Sequence, residues 1–497
     1  MRVLSGLLLS VAVVIQAAAQ LPAADHAAKR ARVLDALTAD GIVFVEGTGT
    51  QPRTDQSFLQ SRDFQALTGL IQPGSALVLW KKGTTTGQRV IVPPKPAYAW
   101  EGEQIGPEEA SRMMGIAAIP TTALAAFLDS LDAKHSKVYL IGQDAGWPGL
   151  SAQVTRVLGD SGVIRGGGRG AGGGRGAAGA AGRGGAAPLA AAPPANDLSA
   201  ITVAINQARA QKTDAEIAVL KRAAEISVEG HKAAMRMLYP GVNEYEIRGV
   251  FEGTIFRLGA ERVGYASIVG TGANATYLHY SADTMQSKAG DVVVMDAAAI
   301  LHGYSADITR AFPVSGRFSP EQRIIYEAVL AANDAAAATI KPGSTPAQAN
   351  AAATAELWKG VVKAGLADSV DAMYATTTGA TATQLSLFYF HGLSHGLGLN
   401  VHDPVYLENG AYVVNSIFTI EPGLYVRPAT LAMVPDIPAN VAFRARLAKA
   451  MPKYSGIGTR IEDDYVVTAT GSVCLTCAAP RTIKDVEAIA GKSPIRR

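Results

Sequence analysis

Short apolar runs alternate with helical stretches along the first third of the chain. Apolar runs occupy positions 42–45 and 138–141, and stretches with helical spacing occupy positions 26–38 and 108–114. Short apolar runs with polar boundaries predict strands, whereas apolar residues that recur every three or four positions predict helices. The alternation predicts a smaller α/β domain at residues 25–205.

The remainder of the chain begins with sequence signals for the start of a helix. Thr213 and Glu216 have the spacing of a capping box, and apolar residues then recur at helical intervals until Pro240. From position 291 onward, runs rich in Val and Ile alternate with helical stretches. Residues 206–497 are therefore predicted to form a larger α+β domain.

The first residues have the pattern of a cleaved export signal. Arg2 precedes the apolar run Val3–Ile15, and the small residues Ala17–Ala19 follow it. A membrane anchor and a buried first strand are the alternatives, but the run is shorter than the roughly 20 residues of a spanning helix. We predict a signal peptide at residues 1–19 and a periplasmic or secreted mature protein without a membrane span.

A segment of low complexity interrupts the first domain at residues 165–196. Of the 20 residues from 166 to 185, 12 are glycine, and most of the others are Ala or Arg. Such a composition cannot bury enough apolar surface to offset the entropy of ordering, so we expect a disordered surface insertion. An RNA-binding tract is the alternative, but no aromatic side chains are interleaved with the arginines.

Composition and charge narrow the class of protein. The chain has 497 residues, of which 48% are hydrophobic, and its formal charge is +3 from 45 basic and 42 acidic residues. This near balance provides no broad positive field, and we predict no nucleic-acid partner. The only cysteines are Cys474 and Cys477, which we expect to form a small structural disulfide in an oxidising compartment.

A predicted hairpin brings two aspartates together. Residues 291–296 are predicted to form one strand and residues 304–309 the return strand. If the turn centres on positions 301 and 302, Asp296 lies opposite Asp307, with Cβ atoms about 4.5 to 5.5 Å apart. Two carboxylates this close repel each other unless a cation lies between them or one is protonated. A solvated hairpin with both aspartates in water is the alternative.

Three further segments carry groups that can bind a metal ion. Residues 391–402 contain three histidines, and Glu421 and Glu462 each end a β-branched run. A single histidine or Glu-Pro pair is usually structural. Four such segments in one domain are not well explained as coincidences, and they favour a metal site of carboxylates and imidazole.

In their order along the chain, these segments resemble the pita-bread metallopeptidases, the superfamily of methionine aminopeptidase, and among them aminopeptidase P and prolidase. The matching stretches lie at residues 295–297, 303–310, 391–395, 421–423 and 460–464. The resemblance implies a pita-bread catalytic domain that binds two divalent metal ions. The implied ligands are Asp296, Asp307, His395, Glu421 and Glu462, with Asp307 and Glu462 bridging.

The resemblance also implies roles around the metal ions. His279, His391 and His402 would line the substrate site, and Arg460 would support a metal-bound carboxylate. Glu421 would move a proton from the attacking water to the leaving nitrogen. His391 and His402 would donate hydrogen bonds to the developing oxyanion. For each of the three histidines, a structural hydrogen-bonding role is the alternative.

The implied ligand set determines the expected chemistry. Four carboxylates and one imidazole suit Mn²⁺, with Zn²⁺, Co²⁺ or Fe²⁺ as alternatives. Two metal ions about 3.5 to 4 Å apart can share a water and lower its pKa from about 15.7 toward neutrality, which gives a metal-bridged hydroxide that attacks the scissile carbonyl. The resemblance implies release of the N-terminal residue from peptides with proline in second position.

The first domain extends the resemblance. Arg53-Thr54-Asp55 and Trp100-Glu101-Gly102 are similar to stretches of the creatinase-type N-terminal domain of these enzymes. The whole pattern implies an exported Xaa-Pro aminopeptidase that acts on proline-containing peptides, with a dimer or tetramer as the implied homo-oligomer. The alternatives are a prolidase specific for Xaa-Pro dipeptides, a non-catalytic peptide-binding protein of the same fold, and a creatinase-like amidinohydrolase without metal.

Two departures from the family pattern concern the walls of the site. Gly396 follows the implied ligand His395 where relatives often carry a bulkier side chain, which predicts a more open wall. The stretch from Pro428 to Lys453 is longer than in compact members of the family. Neither departure removes a ligand.

Overall fold

A computed structural model describes residues 21–48, 60–96, 104–142, 149–159, 162–165 and 198–492. The predicted signal peptide and, apart from Arg165, the predicted disordered insertion lie outside these residues, as do Arg53–Asp55 and Trp100–Gly102. Among the helices that the structure describes, none is both long enough and apolar enough to cross a membrane.

Helices and strands are mixed throughout the described ranges. The helices α1 to α13 are Ala23–Asp35, Arg62–Thr68, Pro107–Met114, Leu124–Ser130, Ser151–Leu158, Leu198–Ala210, Asp214–Arg236, Glu244–Arg257, Pro320–Thr339, Pro346–Lys363, Thr430–Met433, Val441–Tyr454 and Ile483–Ile489. The strands β1 to β21 are Gly41–Glu46, Ala76–Lys82, Thr85–Val92, Ala118–Pro120, Val138–Ile141, Val163–Arg165, Arg262–Val263, Ile268–Thr271, Val292–Asp296, Ala299–Leu301, Tyr304–Ser305, Thr309–Pro313, Met373–Ala375, Thr381–Thr383, Leu407–Glu408, Ala411–Tyr412, Ile417–Ile420, Gly423–Tyr425, Gly458–Arg460, Asp463–Val467 and Ser472–Cys474.

The first domain is built on one mixed sheet with helices on both faces. Its strand order is β4-β3-β2-β1-β5-β6, with β1 antiparallel to β2 and parallel to β5. Side chains alternate along β1, so that Val43 and Val45 pack with α1, α2 and α3, whereas Ile42 and Phe44 pack with α4 and α5. The predicted α/β pattern of strands and helices is confirmed.

The predicted capping box starts α7. The Thr213 N–H donates to Glu216 Oε2 at 2.8 Å, and the Glu216 N–H donates to Thr213 Oγ1 at 3.3 Å. The predicted boundary between residues 205 and 206 falls inside α6, whose Ile201 and Ile205 pack in the core of the first domain.

Two sheets of the second domain meet where the candidate ligands lie. The strands β8, β9 and β12 form one sheet, and β17, β20 and β21 form another. A β-bridge between Thr309 and Glu462 joins them. The helices α9 and α10 pack against this layer through a large apolar core that includes Tyr326, Leu357 and Phe418. The rigid sheet ends thereby position the side chains that leave them.

The predicted register of the hairpin is wrong by two residues. Asp296 pairs with Thr309 rather than with Asp307. The reason is the turn, which takes His302 and Gly303 with φ of 49° and 80°. A two-residue hairpin turn with both φ positive favours glycine at its second position, so Gly303 places the turn one residue later than predicted. Asp307 therefore lies diagonally across from Asp296.

A disulfide joins Cys474 and Cys477, as expected from the sequence. It closes the turn that follows β21, and Thr476 within that turn bonds the segment next to Glu462. Thr476 Oγ1 accepts the Asp464 N–H at 2.9 Å and donates to Asp463 Oδ1 at 2.8 Å. The disulfide thus stabilises the turn behind a candidate metal ligand.

Reduction of this disulfide is expected to lower the free energy of unfolding by about 2 kcal/mol, because a cross-link over so short a loop removes that much chain entropy from the unfolded state. Denaturant titration with and without reductant measures the difference. A protein carrying Cys474→Ser together with Cys477→Ser is the control, and its stability should not respond to reductant. Equal stability of the unmodified protein in both conditions would contradict the expectation.

Candidate metal centre

The five predicted metal ligands leave the ends of strands or the turns beside them. Asp296 ends β9, and Asp307 lies two residues before β12. Glu421 directly follows β17, and Glu462 lies between β19 and β20. The N–H of His395 lies 3.3 Å from Thr419 Oγ1 of β17, and the Thr419 N–H donates to the His395 carbonyl at 2.9 Å.

The His395 ring lies among three of the carboxylates. Its Nε2 atom is 3.4 Å from Asp307 Oδ2, 3.7 Å from Glu421 Oε1 and 3.7 Å from Glu462 Oε1. One ligand atom each from Asp307, His395 and Glu462 lies within 4.8 Å of the others, a separation that a single metal ion can span. The structure therefore brings these four side chains together.

Asp296 joins this group through Tyr265. The Tyr265 hydroxyl lies 2.5 Å from Asp296 Oδ1 and 2.5 Å from Asp307 Oδ1. A hydroxyl has one proton to donate, so both contacts are hydrogen bonds only if one carboxyl is protonated. Burial raises the pKa of Tyr265 well above its ordinary value, and the charges of Asp296 and Asp307 raise it further. The hydroxyl therefore keeps its proton.

Burial and mutual repulsion oppose full ionisation of the carboxyl groups. Burial raises the pKa of Asp307 well above its ordinary value, and the charges of Glu462 and Asp296 raise it further. Burial and the charge of Glu462 raise the pKa of Glu421 to about 8. For His395, burial lowers the pKa, but the contact with Glu462 and the charges of Glu421 and Glu462 outweigh it and raise the pKa to about 9.

Arg460 links the candidate metal ligands to Thr309 and Tyr425. Its Nη2 lies 2.5 Å from Asp296 Oδ2, and its Nε donates to Thr309 Oγ1 at 3.0 Å. Thr309 Oγ1 in turn donates to Glu462 Oε2 at 2.7 Å. The Arg460 Nη1 atom donates to the Tyr425 hydroxyl at 2.9 Å. Arg460 therefore holds two candidate ligands, one directly and one through Thr309.

A buried ionic group lies behind Glu462. Arg310 Nη2 lies 2.6 Å from Asp463 Oδ1, and Arg310 Nη1 donates to the Glu462 carbonyl at 2.7 Å. The Asp307 N–H donates to Asp464 Oδ2 at 3.1 Å. These bonds fix the backbone of the two candidate bridging residues from behind.

The three predicted substrate-site histidines surround the candidate ligands in different ways. The His402 ring lies 4.1 Å from the His395 ring, centroid to centroid; the residue is exposed, and partial desolvation together with the charge of His395 lowers its pKa to about 4. Burial and the charge of Arg460 lower the pKa of His391 to about 3. His279 is exposed, and its charge adds to the lowering of the pKa of both His391 and His402.

His391 differs from His402 in its hydrogen bonds. The His391 Nε2 atom is 2.9 Å from the Tyr425 hydroxyl, and its Nδ1 atom is 2.8 Å from the Gly392 carbonyl. His402 has no hydrogen-bond partner among the residues that the structure describes. Of these two histidines, His402 is therefore the one whose ring nitrogens are not already bonded to the protein among the described residues.

The wall at Gly396 is closed rather than open, so that prediction is wrong. A Cβ atom on Gly396 would lie 2.3 Å from the Asp403 carbonyl oxygen and 2.7 Å from the Pro404 carbonyl carbon. Backbone atoms cannot move aside cheaply. Gly396 is required by this close approach of two chain segments, and it leaves no added space.

Sequence reasoning missed two tyrosines of the site. Tyr265 lies 31 residues before Asp296 and follows no recognisable motif, and only the sheet brings it to the carboxylates. Tyr425 gave a weak signal, because it lies four residues after Glu421 in the same apolar segment. It also requires a glycine nearby, since a Cβ atom on Gly423 would lie 2.4 Å from the Tyr425 hydroxyl oxygen.

The donor set fits divalent metal ions. Four carboxylates and an imidazole lie close together, and burial disfavours the negative charge of Asp307 and Glu421. A divalent cation would offset that charge and find oxygen and nitrogen ligands of the type that Mn²⁺ and Zn²⁺ accept. The second candidate group, Asp463 with Cys474 and Cys477, does not fit a metal because both thiols are in the disulfide.

Metal binding at pH 7 is expected to release protons. Glu421, with a pKa of about 8 in the metal-free protein, is mostly protonated at pH 7 and must ionise to bind a cation. Metal affinity should therefore fall as pH decreases below about 8. Calorimetric titration of the chelated protein with Mn²⁺, in two buffers of different ionisation enthalpy, measures the proton release. The same heat in both buffers would contradict it.

Two family models match the chain. The model described as metallopeptidase family M24 matches residues 218–469, and the model of the aminopeptidase P N-terminal domain matches residues 26–139. The two matches follow the order of the two domains, and they confirm the predicted two-domain architecture of a pita-bread domain preceded by a creatinase-type domain.

Two curated relatives match over a little more than half of the chain. The chain is 36% identical to a Xaa-Pro aminopeptidase of Escherichia coli over 289 residues, which are 57% of this chain and 60% of that protein. It is 32% identical to a human Xaa-Pro dipeptidase over 307 residues, again 57% of this chain and 60% of that protein. The chain thus spans about three fifths of the length of these relatives.

Solved structures match over nearly the whole chain. Aminopeptidase P from Escherichia coli with the inhibitor Pro-Leu has a TM-score of 0.71 at 26% identity, covering 95% of this chain and 98% of that one. The aminopeptidase PepP from Pseudomonas aeruginosa has a TM-score of 0.72 at 26% identity, with the same two coverages. The similarity includes both domains.

Proposed function

Because the chain belongs to metallopeptidase family M24, we propose that it is an exported aminopeptidase with two divalent metal ions, which releases the N-terminal residue from peptides with proline in second position. The proposal is carried by the convergence of Asp307, His395 and Glu462 within 4.8 Å of one another, with Glu421 Oε1 3.7 Å from His395 Nε2. The match of the first domain to the aminopeptidase P N-terminal model supports the substrate class.

The metal ions would be held by Asp296, Asp307, His395, Glu421 and Glu462, with Asp307 and Glu462 shared between them. Divalent ions bound there would supply Lewis acidity for the scissile carbonyl and for the nucleophilic water. Mn²⁺ is the proposed native ion because the donors are mainly carboxylate oxygens.

Glu421 is the proposed proton carrier between the attacking water and the leaving nitrogen. Its Oε1 lies 3.7 Å from His395 Nε2, and its Oε2 lies 3.6 Å from His391 Nδ1, so the carboxyl group lies between the metal ligands and the substrate side. The surroundings that raise its pKa favour acceptance of a proton. Before cleavage the proline nitrogen belongs to a tertiary amide and carries no hydrogen. It must therefore accept a proton in order to leave.

His402 is the proposed donor to the oxyanion. Its low pKa keeps the ring neutral at pH 7, with one N–H to donate. His391, whose two nitrogens already have partners, is assigned to positioning Tyr425 and through it Arg460. His279, which is exposed, is assigned to substrate contact.

A prolidase is the second candidate, supported by the similarity to the human Xaa-Pro dipeptidase. The deciding experiment compares hydrolysis of Ala-Pro with that of Ala-Pro-Leu by Mn²⁺-loaded protein. We expect cleavage of the tripeptide before proline and little cleavage of the dipeptide. The reverse preference would make it a prolidase, and no turnover of either substrate with any divalent metal would refute the peptidase.

Export is proposed from the N-terminal pattern, and the Cys474–Cys477 disulfide supports an oxidising compartment. Expression of the full chain, cell fractionation and N-terminal sequencing of the product test it. A cytoplasmic product that begins at residue 1 would contradict the proposal. A dimer or tetramer is proposed from the family resemblance alone, and light scattering measures it.

A further inference from the structure

Arg427 is a half-buried cation whose charge has no carboxylate partner among the described residues. Its guanidinium lies over the Phe390 ring, 4.2 Å from the ring centroid. Its Nη2 atom donates to the Leu387 carbonyl at 3.3 Å, and its Nε is buried without a hydrogen-bond partner. A positive charge removed from water without a counter-ion costs free energy, so this site favours an anion.

Arg427 lies one aromatic layer from the candidate active site. The Phe390 ring lies 5.3 Å from the Tyr425 ring, which lies 5.5 Å from the His391 ring, each distance measured between centroids. The Tyr277 hydroxyl interacts electrostatically with the Arg427 guanidinium and raises its pKa, against the larger effect of burial. Tyr277 is two residues from His279 along the chain. Tyr277, Phe390 and Arg427 therefore form a rim, with Phe390 37% exposed and Tyr277 59% exposed.

The geometry of cleavage determines which part of a peptide meets this rim. An aminopeptidase has one residue on the amino side of the scissile bond, so the rest of the substrate extends outward from the proline. In a short peptide, the first anion along that direction is the C-terminal carboxylate. A guanidinium that stacks on a ring by its face keeps its N–H edge for a carboxylate.

We propose that Arg427 binds the C-terminal carboxylate of the substrate and thereby makes the enzyme favour short peptides with a free C terminus. The inference rests on the proposed function, because it takes its direction from the position of the scissile bond. It assigns to Arg427 a role in specificity, separate from the residues that hold the metal ions or move protons.

Calorimetric binding of Pro-Leu and of Pro-Leu amide to the Mn²⁺-loaded protein tests the proposal without turnover. We expect the unmodified protein to bind the free acid about tenfold more tightly, which corresponds to one charge-assisted hydrogen bond. Arg427→Gln should bind both ligands equally, with the affinity that the unmodified protein has for the amide. Arg427→Met keeps the apolar contact with Phe390 and should give the same result if Arg427→Gln folds poorly.

The matched control is Arg444→Gln. Arg444 lies in α12 and donates to the Leu431 and Val434 carbonyls, so its loss disturbs the chain that follows Arg427 without removing the charge at the rim. It should keep the tenfold preference. Equal binding of the two ligands by the unmodified protein, or an unchanged preference in both Arg427 variants, would overturn the proposal. Failure of the unmodified protein to cleave Ala-Pro-Leu would instead overturn the proposed function.

Discussion

Replacement of Asp307 by Asn, or of Glu462 by Gln, is expected to abolish cleavage of Ala-Pro-Leu while the protein stays folded. Each substitution keeps the shape of the side chain and removes a negative charge that is proposed to bridge two cations. Loss of a single oxyanion donor costs about 10²- to 10³-fold in kcat, and a bridging ligand should cost at least that much.

The fold should tolerate Asp307→Asn because the negative charge of Asp307 is itself unfavourable in the metal-free protein. Burial and the neighbouring charges raise the pKa of Asp307 well above its ordinary value, so the negative charge of this side chain is unfavourable without a cation. An amide at this position removes a repulsion rather than a stabilising contact. The melting temperature of the chelated variant should therefore match or exceed that of the chelated native protein.

Steady-state kinetics with Mn²⁺, together with circular dichroism and thermal melting, check this expectation. Glu408→Gln is the control, since Glu408 is an exposed carboxylate bonded to the Tyr406 hydroxyl. It should leave kcat and metal content unchanged. Near-normal turnover in either Asp307→Asn or Glu462→Gln would refute the proposed site.

Replacement of His402 by Ala is expected to lower kcat by about 10²- to 10³-fold with little change in KM, which is the effect of losing one donor to a developing oxyanion. The ring contacts His395, stays neutral because partial desolvation lowers its pKa to about 4, and has no protein partner among the residues described. His391→Ala should behave differently, with a rise in KM as well, because it releases Tyr425 and Arg460.

The measurement is kcat and KM from pH 6 to 9 for both variants. His135→Ala in the first domain is the control, since that histidine is exposed and pairs only with Asp132 within the described chain. A change in KM alone for the His402 variant would assign that residue to substrate binding and contradict the proposed role in the transition state.

Much of the second domain could be predicted from the sequence because its signals are local. Thr213 and Glu216 mark the start of α7 by hydrogen bonds that span three residues. Asp296 and Glu421 end strands or follow them directly, so the end of an apolar run indicated where they lie. Such residues carry their structural context in their immediate neighbours.

The wrong or missing predictions concern residues whose environment depends on a turn or on segments that are distant in sequence. The hairpin register depends on which two residues take positive φ, and Gly303 rather than Leu301 decides it. Gly396 could not be interpreted from its own neighbours, because the obstacle to a side chain is the backbone at Asp403. Tyr265 likewise joins Asp296 only after β8 and β9 pair.

Elemental analysis of the purified protein shows whether the chain holds two metal ions. The protein should be prepared without chelator, dialysed against metal-free buffer and assayed in parallel on Ala-Pro-Leu. We predict about two equivalents of a divalent metal per chain together with cleavage, both lost in Asp307→Asn. The contrary result is protein that contains no metal and neither binds nor responds to added Mn²⁺, Zn²⁺, Co²⁺ or Fe²⁺. That result would mean that the five side chains do not form a metal centre, and it would favour a non-catalytic peptide-binding role.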